Sequence, residues 1–230
     1  PTQEFGSIIS NTSDLNLVKP VCPTTSCAII ISGSIYSIIF WKSPSRSFSS
    51  EKFKRLAIQG QSPSSLIISC CDSRVQATSI FGSDEGEFFI HRNIANLVPK
   101  YSQNSKHSAT LAAIEYAIKI LKVRHIIILG HTGCGGIEAS YNINIKNIIS
   151  DLVFVNEWLK IILPAFQNIS KNYSPEKQIM KLEEESIKNS LKNLLSFPNI
   201  TQDVEAGKLS IHGLIHDIGS GNLKYLNPIT

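Results

Sequence analysis

Short apolar runs of strand length alternate along this chain with stretches whose apolar residues recur at helical spacing. Leu66 to Cys70 is a run of strand character that stops at Cys71-Asp72-Ser73-Arg74. Glu87 to His91, set off by Gly82 and Gly86, reads as a second strand, and Val123 with Ile126 to Ile128 as a third. Lys208 to Ile218 and Asn222 to Leu226 flank Gly219-Ser220-Gly221, which is a hairpin signal. Between these lie the helical patterns. Ser50-Glu51 opens one, with Phe53 and Leu56 apolar and Gly60 as its stop. His107 to Leu121 places Leu111, Ile114, Ile118 and Leu121 on one face. Ile148, Leu152, Val155, Leu159 and Ile162 form a stripe expected to end at Pro164. Ser174-Pro175-Glu176 opens a further helix that runs through Ile187, Leu191 and Leu194 until Pro198.

Strands alternating with helices imply βαβ units. The expected fold is α/β, with a mostly parallel central sheet flanked by helices and an antiparallel C-terminal edge strand. Residues 1–48 read separately, as an N-terminal arm or extension ahead of one domain over 49–230. The apolar run Ala28 to Trp41 is broken by Ser32, Gly33, Ser34 and Ser37, and is too short to span a bilayer as a helix. It reads as a docked arm or edge element, with an organelle-targeting or anchor segment as the alternative.

Composition narrows the function classes. Of 230 residues 42% are hydrophobic and 17% charged, ordinary values for a soluble globular protein. The net charge of +4 is not gathered into any block of Lys and Arg, so neither nucleic acid nor a membrane surface is an expected partner. Five cysteines, an odd and low count, argue against a disulfide framework and for a reducing compartment, with a cytoplasmic location expected. Cys22 and Cys27 lack partner ligands and are read as structural or incidental.

The chemistry gathers where strands end. In an open parallel sheet, ligands bind beyond the carboxyl ends of the strands. Cys70 closes one run, and the run from His125 closes on His131-Thr132-Gly133-Cys134. A lone strand-end cysteine is as readily a small buried hydrophobe. Two such ends together supply Cys70, His131 and Cys134, a Cys₂His set suited to catalytic zinc with a fourth position open. Cys71 points to the opposite face of an extended strand and is left out. Asp72 and Arg74, two residues apart, share a face. An arginine-held carboxylate stays ionised and can accept a proton, although a structural ion pair is the competing reading.

Cys70-x-Asp72-Ser73-Arg74 followed by His131-x-x-Cys134 resembles the β-class carbonic anhydrase signature. The similarity runs through Gly86-Glu87-Phe88-Phe89, Arg92-Asn93-Ile94-Ala95-Asn96 and Ala113-Ile114-Glu115-Tyr116 to the strand Gly207 to Gly213. The resemblance implies that Cys70, His131 and Cys134 hold zinc, that Asp72 and Arg74 are a catalytic dyad, and that carbon dioxide and bicarbonate are the substrates. It places Gln61, Phe89 and Tyr116 in a plant-type substrate pocket, completed across the interface of a dimer or higher even oligomer. Ile67 stands where another branch of the family has a tryptophan of its inhibitory bicarbonate site, so that site is not expected here. Asp72 is expected to stay on Arg74 rather than on the metal. Ala77 replaces a proline found in many relatives. The same ligands also suit carbonyl sulfide or carbon disulfide, or a zinc scaffold without turnover, and the retained dyad argues against the last. No proton shuttle is assigned to His91, His212 or His216.

Overall fold

Among the described residues, several of the apolar runs become strands buried along almost their whole length. The computed structural model describes residues 17–18, 27–29, 39–41, 50–104, 108–148 and 151–226. In chain order these form β1 (Leu17–Val18), β2 (Cys27–Ile29), β3 (Ile39–Trp41), α1 (Ser50–Gln59), β4 (Ser65–Cys70), α2 (Ala77–Phe81) and β5 (Phe88–Asn93). They continue with α3 (Ser108–Lys119), β6 (His125–His131), α4 (Gly135–Asn144), α5 (Val153–Leu159), α6 (Pro175–Leu194), α7 (Pro198–Glu205), β7 (Ser210–His216) and β8 (Leu223–Leu226). Short 3₁₀ segments cover Ile94–Asn96 and Lys160–Asn168.

The main sheet has the order β1-β8-β7-β6-β4-β5. β5, β4, β6 and β7 are parallel, whereas β8 runs antiparallel to β7 and β1 antiparallel to β8. β4 is buried at every position, the signature of a strand covered on both faces. One face carries Leu66, Ile68, Ile126, Ile128, Ile211 and Ile215 against α3, α6 and the start of α7. The other carries Ile67, Ile127, Leu129 and Leu214 against α2 and Leu223.

The α/β expectation and its antiparallel C-terminal strand hold, with β1 added alongside that strand. β2 and β3 pair with each other near the two ends of the Ala28–Trp41 run. The rest of the expected arm over 1–48, including Cys22, lies outside the described residues, as does His107. Three helices were not anticipated. Pro198, read as a stop, is instead the first residue of α7, a position where its missing N–H is not needed. α2 is only five residues long and α4 opens on Gly135-Gly136, so neither shows a stripe. The stripe from Ile148 starts later than expected, at Val153, and leaves Ile148 and Leu152 exposed. Nor does it stop at Pro164. In an α-helix the proline ring would clash with the carbonyl of Lys160 four residues back, and from Lys160 the chain instead runs as a 3₁₀ segment to Asn168. Among the described residues no helix is long and apolar enough to cross a membrane.

α6 lies unusually close to the sheet. A Cβ on Gly130 would sit 2.5 Å from Ile187 Cδ1, and one on Gly213 would sit 2.9 Å from both Ile187 Cγ2 and Leu191 Cδ1. Those two glycines therefore let the helix press against β6 and β7. Gly213→Ala should lower unfolding free energy by about 1–3 kcal/mol through overpacking. Urea denaturation measures this, and an unchanged midpoint would contradict the close packing of α6.

Candidate metal centre and active site

Parallel pairing brings the ends of β4 and β6 side by side, with Ser69 opposite Leu129 in register. The next residues are Cys70 on one strand and Gly130-His131 on the other, and the turn after β6 returns Cys134 to the same spot. One ligand-capable atom from each of Cys70, His131 and Cys134 lies within 4.8 Å of the others, and all three residues are buried. The two sulfurs are 4.0 Å apart. Two thiolates on a tetrahedral zinc at about 2.3 Å each would be separated by about 3.8 Å, so the thiols need hardly move to share an ion.

The imidazole is prepared in the same sense. His131 Nδ1 faces the Thr132 carbonyl oxygen at 3.0 Å, and since a carbonyl only accepts, Nδ1 carries the proton. Nε2 is thereby left with a lone pair, and it is buried with no hydrogen-bond partner. A buried nitrogen without a partner among two sulfurs is unfavourable unless something electrophilic sits there. The residues fit a metal ion.

The surrounding backbone is aimed at the sulfurs. The N–H groups of Asp72 and Ala95 act to lower the Cys70 pKa, and those of Gly136 and Ile137 act in the same sense on Cys134. In the metal-free pair the two sulfurs share one hydrogen bond, so one thiol is pulled down in pKa while the other is driven up. Ala95 adopts φ 62° and Asn96 φ 50°, a left-handed pair uncommon for residues with a side chain. Several contacts hold it there. Asn93 brackets the turn by bonding both the N–H and the carbonyl of Leu97, and Trp158 Nε1 donates to the Ile94 carbonyl at 2.8 Å. Gly136 lets the two loops close, because a Cβ there would come within 2.8 Å of Ile94 Cγ2.

Asp72 and Arg74 form a chelated pair beside the thiols. Arg74 gives its backbone N–H and Nε to Asp72 Oδ1, both at 2.9 Å, and Nη2 to Oδ2 at 2.7 Å. Those hydrogen bonds hold the Asp72 carboxyl well below the usual carboxylate range. Arg74 Nη2 also reaches the Gly133 carbonyl at 3.1 Å, tying the dyad to the turn between His131 and Cys134. Asp72 Oδ2 lies 3.9 Å from His131 Nε2, so the carboxylate borders the position where an ion would sit. Cys71, the first residue beyond β4, is exposed, while Cys70 is 5% accessible.

The expected pocket residues sit elsewhere in the chain. Gln61 is exposed in the loop before β4. Phe89 and Tyr116 stack on each other with ring centroids 5.8 Å apart, and Tyr116 is 46% exposed. Phe89 is in register with Leu66, whereas Cys70 is opposite Asn93. Four strand residues, about 13 Å, therefore separate it from its own chain's thiols.

Two contributors went unread in the sequence. Arg92 donates to the carbonyls of Cys70 at 2.9 Å and Asp72 at 2.7 Å, fixing the strand end. Glu183, on α6 and 3% exposed, accepts the Cys134 N–H at 3.1 Å. Burial pushes its carboxyl upward in pKa, opposed by the N–H groups of Cys134 and Gly133. A signal for Glu183 existed: it lies four residues before Ile187, so it belongs to the apolar stripe of that helix.

The profile of a family described as carbonic anhydrase matches residues 65–223. The chain is 39% identical over 166 residues to beta carbonic anhydrase 3 of Arabidopsis thaliana, covering 71% of this chain and 64% of that relative, just under two thirds of its length. Among solved structures, the β-carbonic anhydrase CcaA superposes with a TM-score of 0.71 at 32% identity, over 77% of this chain and 85% of that one. One of two tetrameric β-carbonic anhydrases from Sordaria macrospora superposes with a TM-score of 0.64 at 31% identity, over 76% and 85%.

The dyad geometry makes a direct prediction. The folded pKa of Asp72 lies below its unfolded value, so its pairing stabilises the fold above pH of about 4 and is lost as pH falls through the folded pKa. In Arg74→Ala, the Asp72 carboxyl of the metal-free protein should titrate clearly higher than in wild type, although the backbone N–H of residue 74 still holds it down in part. Carboxyl-carbon NMR reads this, and an unshifted midpoint would remove Arg74 as the cause.

Proposed function

The chain belongs to the β-class carbonic anhydrases, and on that premise we propose that it is a zinc lyase interconverting carbon dioxide and bicarbonate with exchange of a proton. The observation that carries this reading is the buried, unpartnered Nε2 of His131 facing two thiols, with an arginine-held carboxylate beside them. Cys70, His131 and Cys134 are the zinc ligands in this account. Bound zinc supplies Lewis acidity that lets a water lose its proton near neutral pH.

Asp72 would accept a hydrogen bond from the reacting water and so orient its oxygen toward the carbon of the substrate. Arg74 occupies both oxygens of Asp72, keeping the carboxylate ionised, correctly aimed and off the metal position. The N–H groups directed at both sulfurs stabilise them as thiolates. Gln61 donates to an oxygen of carbon dioxide or bicarbonate, and Phe89 and Tyr116 keep the pocket narrow and dry. Since Phe89 lies far from its own chain's thiols, we assign these three residues to the site of a second copy. Support for that assembly comes from β5, whose outer edge no described strand pairs, and from Ile90, Tyr116 and Ile120, which are 37%, 46% and 61% exposed around it. An unpaired, partly apolar edge invites association. Unbridged thiols suit a reducing compartment such as the cytoplasm.

Stopped-flow hydration of carbon dioxide by zinc-loaded protein, with bound zinc quantified, tests the activity. Wild type should turn over well above buffer, and Asp72→Ala at equal zinc content should lose about 10²-fold or more in kcat. Zinc-replete wild type without activity defeats the reading, and a fully active Asp72→Ala defeats the role of Asp72. Sedimentation equilibrium should show a dimer or a higher even oligomer, and a fully active monomer would contradict the shared pocket.

A further inference from the structure

α6 buries one face against the sheet, and within that face, among Leu182, Ser186 and Ile187, stands a carboxylate. A carboxylate 97% removed from solvent is unfavourable unless it is hydrogen-bonded, and Glu183 Oε1 meets this need with the Cys134 N–H at 3.1 Å. That N–H belongs to the peptide joining Gly133 to Cys134. The carbonyl of the same peptide, Gly133 O, accepts from Arg74 Nη2 at 3.1 Å. A trans peptide is planar and its N–H and C=O point in opposite directions, so this one unit is gripped on both sides. Glu183 holds it from the interior and Arg74 from the side of the dyad. Gly133, at φ +64°, has no side chain to hold the turn in place.

Rotation of that peptide would move two things together: the Cys134 sulfur and the anchor that Arg74 uses while it clamps Asp72. We propose that Glu183 is a positioning residue that fixes the Gly133–Cys134 peptide and thereby sets both the third metal ligand and the Arg74–Asp72 clamp. It acts as a hydrogen-bond acceptor reaching from α6. Its catalytic consequence rests on the function proposed above, whereas its consequence for metal affinity does not.

The test uses the full chain with zinc. Competition against a chromophoric chelator gives zinc affinity for wild type, Glu183→Leu, Glu183→Gln and Glu183→Asp. Glu183→Leu, which has no acceptor, should bind zinc about 10–100-fold more weakly. Glu183→Gln keeps an acceptor oxygen at the same reach and should stay within about threefold of wild type. Glu183→Asp keeps the charge but withdraws the oxygens, and should fall clearly below Glu183→Gln. Unchanged affinity in a folded Glu183→Leu overturns the proposal. If that variant does not fold, the order of the other two decides, and Glu183→Asp binding as well as or better than Glu183→Gln overturns it.

A second readout separates positioning from simple support of the fold. At full zinc occupancy, Glu183→Leu should lower kcat/KM strongly in wild type and much less in an Arg74→Ala background, because both residues hold one peptide. Independent, multiplicative losses would show that they do not act through it. If zinc-replete wild type fails to hydrate carbon dioxide, the functional reading falls, and the zinc affinities still decide the role of Glu183.

Discussion

The parallel pairing of β4 with β6 is the constraint on which the site depends. Cys70 and His131 are distant in sequence and meet only because Ser69 lies opposite Leu129, which lets both strands end at one level on the sheet. Side chains alternate along a strand, so a slip of one residue would swing Cys70 to the other face and present exposed Cys71 in its place. What prevents the slip is the hydrophobic pattern. Leu66 and Ile68 are committed to the face under α3 and α6, and Ile67 to the opposite one. The apolar core thus sets the position of the thiols before any metal is considered.

Around the thiols the chain accepts local conformational strain in return for aimed polar groups. Ala95 and Asn96 take left-handed backbone conformations, Gly136 permits contact between two loops, and Asn93, Trp158 and Arg92 tie the resulting turns down. The result is a pair of sulfurs surrounded by N–H donors and one imidazole nitrogen lacking a partner. Next to it, Arg74 links the carboxylate of Asp72 to the same turn that carries Cys134. Ligand geometry and dyad geometry are therefore not separate properties of this protein.

Much of this was legible in the sequence because strand-end chemistry leaves local marks. Cys70, His131 and Cys134 each close or follow a β-branched run, and Asp72 and Arg74 follow directly, so a parallel sheet sufficed to assemble them. The helix from Ser174 was readable for the same local reason, since Ser174 does cap it and Pro175 is its first residue. Non-local features were not readable. Glu183 is one of three consecutive glutamates; its spacing from Ile187 places it on the buried face of α6, away from Glu184 and Glu185, which pair with lysines, but its bond to the Cys134 N–H is visible only in the fold. Arg92 looks like any strand-end arginine until its reach to the Cys70 and Asp72 carbonyls is seen. α7 was hidden because proline both ends helices and begins them. Gln61, Phe89 and Tyr116 come from family resemblance alone, and within one chain Phe89 lies four strand residues away from the level of Cys70.

The central claim is that two strand ends and one turn hold a single zinc ion through Cys70, His131 and Cys134. X-ray absorption at the zinc edge of protein loaded with one equivalent tests it most directly. The account predicts two sulfurs at about 2.3 Å, one imidazole nitrogen at about 2.0–2.1 Å and a single light atom completing the shell, with the sulfur signal reduced in Cys134→Ala. A shell of nitrogen and oxygen alone, or one that Cys134→Ala leaves unchanged, would contradict it.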